Sequence, residues 1–162
     1  MDRDFGTNGA LVPELEALPG HLIRRLQQIA VAAVLQETAS EGVTPVQYAV
    51  LRTVAAQPGI DQRTLARSIS LDTSTTAGVV DRLEARGLIV REPHPDDRRM
   101  RALKTTEAGC AVLARVTPAI LRAQERILAP LSGEEQAEFM RLLRLLVSER
   151  EALSRVPAEE SV

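Results

Sequence analysis

The chain has 162 residues, 44% of them apolar and 26% charged, with 20 basic side chains set against 22 acidic ones. No apolar run reaches membrane-spanning length. The chain is long enough to bury a core without a metal or disulfide staple, and its lone cysteine, Cys110, excludes an intramolecular disulfide.

Leucine (21) and alanine (22) dominate the apolar residues, which favours helices, while Phe5, Tyr48 and Phe139 are the only aromatic side chains. So few aromatics argue against a protein that stacks single-stranded bases. Duplex DNA stays open, because its grooves are read without stacking. Charge is uneven: Ile60 to Lys104 holds nine bases and seven acids, and the remainder eleven bases and fifteen acids. Nineteen of the bases are Arg and one, Lys104, is Lys. Arg suits bidentate phosphate and guanine contacts, although a GC-rich genome would produce the same bias.

Residues 1–17 are read as an N-terminal extension. Asp2 and Asp4 accompany Arg3, with no apolar stretch behind a basic start, so no signal peptide is expected and a cytoplasmic location is. Leu15, Leu18, Leu22, Leu26, Ile29 and Ala33 recur at spacings of three and four, predicting a first helix over about 19–39 with one apolar stripe. Thr44-Pro45-Val46-Gln47 is a capping box with Pro at the first helical position, opening a second helix that ends at Pro58-Gly59.

Asp61 caps a short third helix reaching about Ser68, with Leu65 and Ile69 inward; Asp72 caps a fourth, stopped by Gly87. Two helices joined so closely over 61–86 form the helix-turn-helix pattern. Residues 88–105 then read as a two-stranded hairpin, or wing, turning at Pro93-His94-Pro95-Asp96-Asp97. A long helix from Thr106 to about Ala129, expected to bend near Pro118, and another opened by the Ser132-to-Glu135 capping box complete six helices, with dimerisation assigned to 19–39 and 106–153. The domain spans 18–153, and 154–162 is expected to be a disordered tail.

On a helical wheel the fourth helix places Thr76, Val79, Val80 and Leu83 on its core side. Ser74, Gly78, Asp81 and Ala85 lie opposite, flanked by Thr75, Ala77 and Arg82. A face so small and hydroxylated suits a groove about 12 Å wide, and it equally fits an ordinary solvated surface. Arg98, Arg99, Arg101 and Lys104 on the hairpin add cations where a thin projection would meet a minor groove.

Leu71-Asp72, Thr73 to Thr76, Val80-Asp81-Arg82-Leu83-Glu84-Ala85-Arg86-Gly87-Leu88-Ile89, Pro95-Asp96-Asp97-Arg98-Arg99, Thr106 and Gly109 together resemble the MarR family of winged helix-turn-helix regulators. The resemblance covers nearly all of Leu18 to Val147. It implies a mainly α winged helix-turn-helix with a small β-hairpin wing, built as an intertwined homodimer on a pseudo-palindromic operator in double-stranded DNA. It puts Thr73, Ser74, Thr75 and Arg82 on the recognition helix, Arg99 at the wing tip with Asp97 as its partner, and Arg98 and Arg101 on phosphates. His94 stands where the family more often has Asp, and Thr105 where it usually has Leu, which questions the packing of the last wing strand. The apolar faces of the first and last helices support dimerisation independently, since a small winged domain cannot cover them alone.

The resemblance also implies a repressor released by a small aromatic carboxylate or phenol. The candidate effector residues are His21, Arg25 and Gln28 on the first helix with Tyr48 and Arg52 on the second. Each taken singly is ordinary surface or core. Redox sensing through Cys110 is the rival trigger, though a buried, inert thiol is the expectation there. A winged-helix module used only for protein assembly is the other alternative. The two histidines lack partners at ligand spacing, so no metal or other cofactor is expected, and no catalytic motif is visible, so the chain is not read as an enzyme.

Overall fold

The computed structural model describes residues 14–93 and 101–153, with side chains described as far as residue 148. The chain divides into two compact units, Met1–Gln124 and Glu125–Val162. Among the described residues, six α-helices and a small antiparallel sheet make a winged helix-turn-helix, in the order α1 (Pro19–Glu37), α2 (Pro45–Ala56), β1 (Ile60–Asp61), α3 (Gln62–Ser68), α4 (Thr73–Ala85), β2 (Ile89–Pro93), β3 (Arg101–Thr105), α5 (Glu107–Leu128) and α6 (Gly133–Leu153).

Each boundary has a local cause. Thr44 and Gln47 form both halves of the expected capping box at α2, and Ser132 and Glu135 do the same at α6. The first helix stops two residues before the expected Ala39. The Thr38 hydroxyl, fully buried, lies 2.8 Å from the Val34 carbonyl and 3.0 Å from that of Val43, and Gly42 then reverses the chain at φ 60°. Gly87, at φ 70°, ends α4 in the left-handed conformation that glycine adopts without strain. Pro118 lies inside α5, which continues to Leu128.

The core of the first unit gathers Val50, Leu51 and Val54 of α2, Leu65 of α3, Thr76, Val79, Val80 and Leu83 of α4, Ile89 and Leu103 of the wing, and Val116 of α5, all essentially sealed from solvent. The four α4 residues are those the helical wheel assigns inward. Strand β1 extends the wing into a three-stranded sheet ordered β1-β3-β2, pairing Ile60 with Leu103 and Asp61 with Ala102. The sequence reading has no such strand, since two residues carry no periodicity. Thr105 pairs with Ile89 at the end of β3 and is half-buried, so the wing strand packs without the family's Leu.

Where the wing rejoins the helices, the Thr106 hydroxyl donates to the Gly87 carbonyl at 2.6 Å and accepts from Gly109 N–H at 3.0 Å. Arg86 Nη1 reaches the Gly42 carbonyl at 3.0 Å, tying the end of α4 to the turn before α2. Arg122 and Arg115 of α5 pair with Glu37 and Glu41 at 3.1 and 3.3 Å.

Large apolar side chains stay open to solvent on both units. Leu22, Ile23, Ile29, Val31 and Leu35 of α1 are exposed in the first, and Leu142, Leu145, Leu146 and Val147 of α6 in the second.

Candidate nucleic-acid interface

The start of α4 is built around Asp72. Its Oδ1 accepts from Thr75 N–H at 2.7 Å and its Oδ2 from the Thr75 hydroxyl at 2.6 Å, while the buried Thr76 hydroxyl donates to the Asp72 carbonyl at 2.8 Å. Asp61 and Thr64 repeat the device at α3, with Oδ1 accepting from Arg63 and Thr64 N–H and the Thr64 hydroxyl 2.6 Å from Oδ2. At both caps the threonine hydroxyl holds the carboxyl below the usual aspartate range. Each helix therefore begins with a fixed negative charge on its positive end.

This cap divides the hydroxyls that open α4. Thr75 spends its proton on Asp72 and keeps only acceptor capacity, Thr76 is buried, and Thr73 and Ser74 are exposed. Along the same helix Arg82 is exposed, and its Nη1 stands 3.8 Å from where a Cβ on Gly78 would be. That is ordinary van der Waals distance, so the guanidinium lies along the outer face beside Gly78 without requiring a glycine there.

Arg101 opens β3 opposite Pro93 and borders a cleft of about 450 Å³ with Asp61, Gln62 and Arg63. Asp97, Arg98 and Arg99, with His94, lie outside the described residues. Of the expected DNA-facing set, Thr73, Ser74, Thr75, Arg82 and Arg101 are exposed.

One group was missed. Arg91 of β2 reaches α4, where its Nη2 lies 2.5 Å from Asp81 Oδ1 and its Nη1 donates to Glu84 Oε2, and it reaches α3, with Nη2 donating to Gln62 Oε1 at 3.4 Å. These hydrogen bonds raise the guanidinium's proton affinity against the opposing effect of its partial burial. The available signal was strand alternation, which puts Arg91 on the inward face with Ile89.

The effector candidates are less concentrated. His21 is half-buried, with Nδ1 3.2 Å from Arg24 Nη2; Tyr48 is half-buried; Arg25, Gln28 and Arg52 are exposed. A groove of about 390 Å³ on α1 is lined by Arg24, Gln27, Gln28, Val31, Ala32 and Leu35, so it takes in only Gln28 of the five.

Cys110 corrects an expectation: its thiol is exposed, 3.6 Å from the Thr105 hydroxyl. Gly109 takes the position packed on the Leu88 carbonyl, and the next residue along the helix turns outward. Among the described residues there is no cluster of three metal-ligating side chains and no helix long and apolar enough to cross a membrane.

Comparison with known proteins agrees with this architecture. The profile of the MarR family matches residues 43–100. The transcriptional repressor NicR of Pseudomonas putida is 30% identical over 132 residues, covering 82% of this chain and 84% of NicR. The crystal structure of the PcaV transcriptional regulator from Streptomyces coelicolor with its natural ligand superposes with a TM-score of 0.77 at 42% identity, over 85% of this chain and 96% of that one. Bordetella bronchiseptica BpsR, described by a mechanism for regulation of its DNA binding by 6-hydroxynicotinic acid, gives 0.80 at 26% identity, over 84% and 97%. With likeness of that degree across more than four fifths of its length, the chain belongs to the MarR family and is a DNA-binding transcriptional regulator.

Proposed function

We propose that the protein is a homodimeric repressor that holds a pseudo-palindromic operator and leaves it when a small aromatic carboxylate or phenol binds. The observation that carries the reading is the start of α4, where Thr73 and Ser74 are exposed on a helix otherwise seated in the core by Thr76, Val79, Val80 and Leu83. A narrow hydroxylated face of this kind enters a major groove and meets base edges or phosphates. Thr75 contributes as an acceptor, Arg82 from the same helix, and Arg98, Arg99 and Arg101 from the wing, with Asp97 steadying Arg99.

Dimerisation follows from the apolar faces of α1 and α6, which a second copy covers. A two-fold dimer reads half-sites about 10 base pairs apart. The repressor role is supported by NicR, and the effector class by BpsR, whose ligand is a hydroxylated aromatic acid. His21, Arg25 and Gln28, with Tyr48 and Arg52, are the proposed clamp for its carboxylate. A ligand that prefers the dimer with its reading heads wrongly spaced weakens DNA binding by the same factor.

Footprinting on the DNA upstream of the protein's own coding sequence, followed by titration with hydroxybenzoates and hydroxynicotinates, tests this reading. A protected pseudo-palindrome released by one of these acids is the expected result. The exposed Cys110 supplies the second reading. Release by peroxide but by no acid, abolished in Cys110→Ser, would replace the acid-responsive account.

A further inference from the structure

We propose that Arg91 is a positioning residue for operator recognition, a clamp that fixes the attitude of α4 against the wing and so sets sequence discrimination. The inference rests on the operator-binding reading. One planar guanidinium touches three elements: it sits on β2, reaches Asp81 and Glu84 on α4, and meets Gln62 at the start of α3. Its neighbours in the strand, Val90 and Glu92, point outward and are exposed, while Arg91 is only 21% exposed and shares the inward side with Ile89.

The two carboxylates it holds are three residues apart on α4. Two anchor points nearly a turn apart fix both the distance of the helix from the wing and its rotation about its own axis. A single contact fixes only the distance. The forked donor geometry of Arg provides both, and the point charge of a Lys does not. A side chain that reads a base edge has to be held within about 10–20° of its productive geometry, and rotation of α4 moves Thr73, Ser74 and Arg82 together.

Charge leads to the same residue. Asp81 is 65% exposed on the outer side of α4, the side facing a polyanion in the proposed complex. Left alone, its carboxylate would oppose close approach of the phosphates, and Glu84 beside it would add to the repulsion. Arg91 engages both and draws them toward the wing. Glu92 is occupied elsewhere, paired with Lys104 at 2.7 Å on the other face of the strands. Among the described hydrogen bonds, no other side chain links the wing to both helices of the motif.

The test uses the full-length protein with two duplexes, one recovered by selection from a random library and one of the same composition with shuffled sequence. Arg91→Met is expected to weaken binding to the selected duplex about tenfold or more while changing affinity for the shuffled one less than about threefold, with the salt dependence of binding unchanged. Arg91→Lys should fall between Arg91→Met and the unaltered protein. Adding Asp81→Asn and Glu84→Gln to Arg91→Met removes the charges without rebuilding the clamp, so discrimination should stay lost.

An unchanged ratio of the two affinities in folded Arg91→Met overturns the inference, and so does full recovery in the triple variant, which would reduce Arg91 to a counter-charge. Should Arg91→Met fail to fold by circular dichroism, Arg91→Lys decides, and wild-type discrimination there overturns the proposal. If the unaltered protein itself shows no preference between duplexes, the operator reading fails first, a result distinct from every variant outcome.

Discussion

At Gly109 the backbone leaves no space for a side chain, because a Cβ there would stand 2.1 Å from the Leu88 carbonyl oxygen, a backbone atom that cannot swing aside. Gly109→Ala is therefore expected to destabilise the fold by about 1–3 kcal/mol and lower the melting temperature by several degrees in a calorimetric scan. The cap aspartates give a pH signature. The Thr75 hydroxyl holds the Asp72 carboxyl below its ordinary range, so its stabilising contribution is present above about pH 4 and disappears as the pH falls through the lowered folded-state value. Asn caps nearly as well without titrating, so Asp72→Asn should lose stability less steeply than the unaltered protein below about pH 4. Parallel acid-unfolding curves would refute this role. Residue-scale readings from sequence were uneven for a physical reason. Asp61 and Asp72 are legible as caps because their partners lie within three residues. The commitment of the Thr75 proton, the exposure of Cys110 and the contacts of Arg91 depend on side-chain geometry or on residues distant in the chain.

Between elements, the wing and the helix-turn-helix share β3, whose first residue, Arg101, stands exposed beside Arg63. If Arg101 makes the phosphate contact proposed for it, Arg101→Ala should weaken binding to all duplexes about equally and reduce the slope of log affinity against log salt by about one. Loss of affinity for one sequence alone would instead make Arg101 a base reader. The six described helices were legible, α1 from its apolar spacing alone and the others with a cap or a stop beside their patterning. Strand β1 was not, because two residues, the second of them the Asp61 cap itself, show no alternation, and their pairing with Leu103 and Ala102 spans some forty positions. The effector group was legible only as a list of polar types, and the α1 groove brings in Gln28 with Arg24 and Gln27 rather than with His21 or Arg25.

For the whole molecule, the decisive surface is the apolar area that one copy leaves in water. Leu22 on α1 is 49% exposed and Leu146 on α6 58% exposed, each among other exposed aliphatic side chains. Burying a charge at either position is costly, so Leu22→Glu or Leu146→Asp should raise the dimer dissociation constant at least about tenfold in sedimentation equilibrium, with operator affinity falling in step. A monomeric unaltered protein would remove the basis for the two-fold operator. On α1 the stripe made Leu22 and Ile29 legible, while the exposed Ile23, Val31 and Leu35 lie off it and Ala33 at its end is buried, because packing against the rest of the unit, not period alone, decides which side stays open.

Because β3 is zipped to β1 on one side and β2 on the other, these strands do not open independently of α3, into which β1 leads. Any allosteric signal reaching this head has to carry the whole head as a unit. In the proposed operator complex, a shift that spoils the register of α4 in its groove would carry Arg101 at the start of β3 away from the DNA in the same movement, making release abrupt rather than graded.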